Sequence, residues 1–136
     1  MNKIEYIPGD LVKFATNTYT IVNFEENFLH NKIFYSLIST NSTKTAFVAY
    51  RDILPIPLTP YILEKNGWKK SKINDCAYFY YKDGLFLTYT SKDGKFWFDD
   101  FDYSSSICVH IPYVHSLQHL LFGLGINSEM EVYVWK

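Results

Sequence analysis

Apolar and polar positions change rhythm once along the chain, at Asp52-Ile-Leu-Pro-Ile-Pro-Leu-Thr-Pro-Tyr-Ile-Leu-Glu-Lys-Asn-Gly-Trp68. Pro55 and Pro57 alternate with Leu54, Ile56 and Leu58. A proline has no N–H to donate, so this piece predicts an edge strand or extended connector rather than a helix interior or central strand. Thr59-Pro60 then reads as a helix start, a capping hydroxyl followed by proline at the first helical position. Ile62 and Leu63 give that helix its apolar stripe, and Asn66-Gly67 is its stop, with Gly67 free to take positive φ. At barely two turns the helix needs packing to hold it, and Trp68 is placed to fold back on it.

Before this junction the pattern is short alternating runs between turn signals. Leu11–Ala15, Tyr19–Phe24, Ile33–Ser39 and Thr45–Tyr50 read as strands, separated by Thr16-Asn17-Thr18, a loop over 25–31 and Thr40–Thr43. Tyr50–Ile53 reads as one tight turn and Leu54–Leu58 as a short last strand. Five strands with a helical turn before the fifth predict a small SH3-like β-barrel over 1–58.

After the junction, Lys69-Lys70-Ser71-Lys72 reads as a solvated basic loop. Strands follow at Cys76–Lys82, Leu85–Ser91, Phe96–Phe101 and Ile107–Ile111. Asp83-Gly84 and Asp93-Gly94 mark hairpins, whose tight turns need positive φ. Val114, Leu117, Leu120, Leu121 and Leu124 recur at helical spacing and predict a helix from Tyr113–His115 to Leu124, stopped by Gly123 and Gly125. Glu129–Trp135 alternates as a last strand. The expected fold is therefore mainly β (α+β). The barrel over 1–58 is followed by an α+β unit over 59–136, an antiparallel β-meander with two short helices, and the two pack as one compact body.

Composition changes the picture in one respect. Net charge is −1, so the chain lacks the basic stripe of a general nucleic-acid binder. Twelve Tyr, eleven Phe and three Trp are far more aromatic than a small domain needs. Strand preference of Tyr and Phe is the main reading of this, and an aromatic-walled ligand surface or a partner surface is the alternative. Cys76 and Cys108 are too few for a disulfide framework and are expected to be free and mostly buried. No apolar run spans a bilayer, and Met-Asn-Lys-Ile-Glu does not begin a secretory signal, so a cytoplasmic setting is expected.

Period-two counting along the meander puts Trp97, Asp99, Cys108, His110, Thr88 and Tyr81 on one face, opposite Ile107, Val109 and Ile111. That face mixes aromatic walls with a few polar groups, as ligand pockets do, unless it packs on the barrel. Arg51 and Lys70, with Lys69 and Lys72, are the cations that could meet phosphates. His115 and His119 stand four apart and share a helix face, so with Asp99, Asp100 or Asp102 they form a weak candidate metal site. No nucleotide-binding glycine loop, paired Cys-x-x-Cys or His-Glu-x-x-His occurs. No catalytic residue is assigned and no cofactor is expected.

Pro-Ile-Pro-Leu-Thr-Pro, Ile-Leu-Glu-Lys-Asn-Gly-Trp and Tyr113-Val-His-Ser-Leu-Gln-His-Leu-Leu-Phe122 resemble motifs of a group of small Bacteroidales phage and prophage proteins. The resemblance covers the middle and the C-terminal helix well and the first third loosely. It implies a phage or mobile-element protein acting in the host cytoplasm, and carries no catalytic residues. The function expected from all this is a non-enzymatic binding protein. It would counter host defence by sequestering a nucleotide-type small signal or by binding a host protein. An assembly or protein-interaction module that forms a homo-oligomer is the alternative, and a metal-dependent hydrolase a second one.

Overall fold

The computed structural model describes residues 6–27, 32–99 and 108–132. It is mainly β, with two five-stranded antiparallel sheets and two short α-helices among the described residues. The first sheet is built from β1 (Leu11–Phe14), β2 (Asn17–Asn27), β3 (Lys32–Ser39), β4 (Thr45–Ala49) and β5 (Leu54–Pro55), in the order β4-β3-β2-β1-β5. A single 3-10 turn, Tyr50–Asp52, precedes β5 as expected. Ala15 turns the β1–β2 hairpin at φ 56°, two residues wide and slightly earlier than the Thr16–Thr18 signal suggested. A register shift between Ile21 and Asn23 bends the long β2.

The five strands and the helical turn before the fifth form as expected, but the SH3-like barrel is not confirmed, since closure is not seen. No ladder joins β4 to β5 among the described residues. The prolines explain this. β5 is only two residues long because Pro55 and Pro57 cannot donate to a ladder. The chain then leaves the sheet for the other half. Val114 N–H donates to Ile56 carbonyl at 2.8 Å, Leu58 N–H to Pro112 carbonyl at 3.0 Å, and Pro57 bridges Tyr113.

The junction helix α1 (Pro60–Lys65) is capped by Thr59, whose hydroxyl accepts from Ile62 N–H at 3.3 Å. Gly67 takes φ 87°, and Trp68 N–H returns to Leu63 carbonyl at 3.0 Å. The second sheet comprises β6 (Lys69–Asn74), β7 (Ala77–Lys82), β8 (Leu85–Thr90), β9 (Lys95–Asp99) and β10 (Cys108–His110), a meander in sequence order. The lysine run is therefore an edge strand, not a loop. Its exposed lysines suit an edge that must not recruit another strand. Cys76 is exposed, contrary to the expected burial, because with Asp75 it makes up the two-residue turn between β6 and β7. Cys108 has no described side chain.

The second helix α2 (Val114–Gly123) follows the predicted stripe. Residues 127–132 have no regular structure, so the last strand is not formed over 129–132; residues 133–136 lie outside the described residues. The backbone of Glu131 is instead held by one side chain, donating to Asn66 Oδ1 at 2.7 Å while its carbonyl accepts from Asn66 Nδ2 at 2.8 Å.

Two apolar clusters fill the molecule. One, from Val12, Tyr19, Ile21, Tyr35, Leu37, Val48 and Ile53, lies against one face of the first sheet. The larger one joins Leu11, Ile56 and Leu58 to both helices and to Tyr80, Leu87 and Phe96 of the second sheet. Leu11 and Val12 point to opposite faces of β1, as strand alternation requires, so β1 touches both clusters.

Candidate functional site

Both helices cover the face of the second sheet that carries Tyr80, Leu87 and Phe96. Alternation sends the neighbours of these residues to the other side. The pairings Phe79↔Thr88, Thr88↔Trp97 and Trp97↔His110 run as one row across four strands on that outer face. A second row pairs Lys69↔Tyr81 and Tyr81↔Phe86. Directly opposed residues in an antiparallel ladder share a face at ~4.5–5.5 Å between Cβ atoms, so the rows form a continuous surface. The rings touch along it: Trp97 and His110 centroids are 5.0 Å apart, Tyr81 and Phe86 5.9 Å, Phe79 and Phe86 6.3 Å. Tyr81 and Phe86 are 38% and 39% exposed, which decides that the face is not sealed under the first sheet.

Four predicted residues, Trp97, His110, Thr88 and Tyr81, therefore meet on one face. Asp99 ends β9, and its side chain lies outside the described residues, as do Asp100 and Asp102. Lys70 does not join them. It pairs with Tyr80, hence points to the opposite face, and its ammonium stands 4.3 Å from the Tyr78 ring centroid. Arg51 lies in the 3-10 turn of the first sheet. The cations that the pairing places on the outer face are Lys69, opposite Tyr81, and Lys95, opposite Thr90. Phe79 and Lys95 went unnamed although the same period-two count locates them, and Phe86 falls beside Thr88 in that count; Lys69 was named as a candidate cation, but reading 69–72 as a loop kept it off this face.

The histidine pair has a different surrounding from the one expected. His119 Nε2 is 2.7 Å from Asp10 Oδ2, and the same oxygen accepts from Ile7 N–H at 2.8 Å. Asp10 is 2% exposed, and burial pushes its carboxyl above the usual range against the lowering effect of the Ile7 N–H and His119. His115 is buried between Tyr6, Tyr113 and His119, with ring centroids 5.0, 5.5 and 5.5 Å away. Burial first, and His119 second, push it down to about 4, so its neutral form is the folded one. No group of three metal-ligating side chains forms among the described residues. Next to this pair, Gln118 Oε1 accepts from Leu11 N–H at 2.9 Å, and its Nε2 donates to Gly9 and Ser128 carbonyls at 3.0 and 3.2 Å. One helix thus ties the β1 strand and the C-terminal segment together. Asp10 and Gln118 carry no sequence signal, since their roles depend on contacts more than a hundred residues away.

A cleft with a volume of about 900 Å³ opens beside Gln118, between the β1–β2 hairpin, Ser39–Asn41 and residues 129–132. It is separate from the outer face. The charged residues of its described lining, Glu129 and Glu131, are both acidic.

Comparison of the chain with protein-family models, with curated proteins and with solved structures gives no match.

Proposed function

We propose that the protein is a non-enzymatic binding protein of phage or mobile-element origin that engages a host protein through the outer face of its second sheet. One observation carries this: Tyr81, Phe86, Thr88, Trp97 and His110 share a face that the helices leave uncovered, with Lys69 at its margin. Aromatic side chains present large apolar area at low entropic cost and dominate interface energetics. A broad sheet face suits a protein surface better than a small molecule, which binds tightly where it is enclosed. The cleft does not rescue the nucleotide-signal reading, because acidic lining repels phosphates.

A photo-cross-linking residue in place of Tyr81, with the same residue in place of exposed Lys92 as control, tests this in Bacteroidales host cells. A discrete host-protein adduct from position 81 alone, lost with Trp97→Ala, is the expected result. Equal labelling from both positions, or none, refutes it. Saturable quenching of Trp97 fluorescence by nucleotides would instead return the small-signal reading.

Self-assembly is a second reading with its own observation. β6 guards its edge with lysines and β5 with prolines, but β4 presents Thr45-Ala-Phe-Val-Ala49, uncharged, with Phe47 57% exposed and stacked on Phe34 at 5.2 Å. An oligomer in light scattering that Phe47→Lys converts to monomer supports it; a strict monomer removes it.

A further inference from the structure

We propose that the cleft beside Gln118 is a binding site for a small uncharged polyhydroxylated ligand, a mono- or disaccharide. The volume, about 900 Å³, falls within the ~300–1,000 Å³ span of small-ligand pockets. Its wall is mostly hydroxyls and amides. Thr16, Thr20, Ser39 and Thr40 bring hydroxyls from the β1–β2 turn, β2, the end of β3 and the turn after it, and Asn17, Asn41 and Gln118 bring amides; the Thr18 hydroxyl is buried behind this wall. Hydroxyls and amides both donate and accept, which matches a ligand whose own hydroxyls do the same.

Part of this wall is fixed and part is available. Gln118 is held by its three hydrogen bonds, Ser39 Oγ donates to Asn41 Oδ1 at 2.8 Å, and Thr40 Oγ1 donates to Thr18 carbonyl at 3.3 Å. The side chains of Thr16, Asn17 and Thr20 make no hydrogen bond to other described residues, so their polar groups face water or a ligand. Thr18 and Thr20 lie on the same face of β2 two residues apart, beside Leu11, which pairs directly with Thr20. Leu11, Met130 and Val132 give apolar surface for the C–H groups of a sugar ring.

Charge narrows the class. Lys, Arg and His are missing from the described lining, so phosphate- or carboxylate-bearing ligands gain no counter-charge and meet Glu129 and Glu131. The site is distinct from the outer aromatic face, so either can fail without the other.

The experiment is amide NMR of the full chain titrated with glucose, maltose and trehalose, and separately with ATP and spermidine. The expected result is saturable shifts from at least one sugar, confined to amides of 16–20, 39–41, 118 and 129–132. Thr20→Val, which keeps a β-branched shape and breaks no hydrogen bond within the described residues, is expected to weaken sugar binding at least tenfold with the remaining spectrum unchanged. Absence of saturable shifts from all three sugars overturns the proposal. So does stronger binding of spermidine or ATP at these amides, or sugar binding that Thr20→Val leaves intact.

Discussion

Replacing Gln118 should show how the two halves are held together. Its amide is 5% exposed and satisfies three backbone groups on two separate segments. In Gln118→Ala the Leu11 N–H is left without its partner in a buried setting, which costs about 1–3 kcal/mol. The Gly9 and Ser128 carbonyls are part-buried and regain water, so each lost bond costs about 0.5–1 kcal/mol. The sum is roughly 2–5 kcal/mol, a large share of the ~5–15 kcal/mol stability of a domain. Gln118→Met keeps the length and apolar stem while losing the same hydrogen bonds, and should fall in the same range. Urea unfolding of both variants measures the loss, and hydrogen exchange at the Leu11 amide locates it. Losses below about 1 kcal/mol, unchanged protection of Leu11, or a large loss for Ala with none for Met would refute the hydrogen-bond argument. The last result would assign the residue a packing role.

Other outcomes follow from local geometry. His115 is held near 4 in the folded chain against 6.5 unfolded, so above pH 6.5 it contributes no pH dependence. As pH falls from about 6.5 to about 4 the unfolded chain takes up a proton that the folded chain refuses, and stability drops by up to about 3 kcal/mol. His115→Phe should flatten that part of a stability–pH curve, and an unchanged curve would contradict the assignment. Asp10 has the opposite sign: its carboxyl is raised, so its contribution is present at low pH and is lost as pH rises. Asp10→Asn, which keeps an oxygen for Ile7 N–H, should therefore cost far less at pH 7 than Asp10→Ala in thermal melts. Thr59→Ala removes the α1 cap and should cost about 1 kcal/mol by urea unfolding. Gly84→Ala meets no atom within 4 Å but must hold φ 82°, so a loss of about 1 kcal/mol there isolates backbone strain, and no loss would argue for a relaxed turn.

The local elements were legible because each depends on neighbours in sequence. Proline at 60 with threonine before it set the start of α1, Asp83-Gly84 set a hairpin with both residues at positive φ, and the leucine stripe set α2. Alternation also placed Trp97, His110, Thr88 and Tyr81 on one face, since side chains on a strand change sides at each residue. The lysine run misled because exposed charge is equally natural in a loop and on an edge strand, and only pairing with β7 distinguishes them. The final alternating stretch misled for the converse reason: alternation forms a strand only where a partner edge is offered, and the backbone of Glu131 is bound by the Asn66 side chain instead.

What the sequence by itself determined is therefore the mainly-β character, most strand and helix positions, and the shared face of Trp97, His110, Thr88 and Tyr81. Tertiary structure decided which edges pair, that β5 is too short to close a barrel, and that Asp10 and Gln118 meet α2. It also decided that Lys70 turns away from Trp97 and that a hydroxyl-lined cleft opens beside Gln118. Periodicity acts over a few residues, whereas these features arise where segments far apart in the chain must satisfy each other's backbone groups.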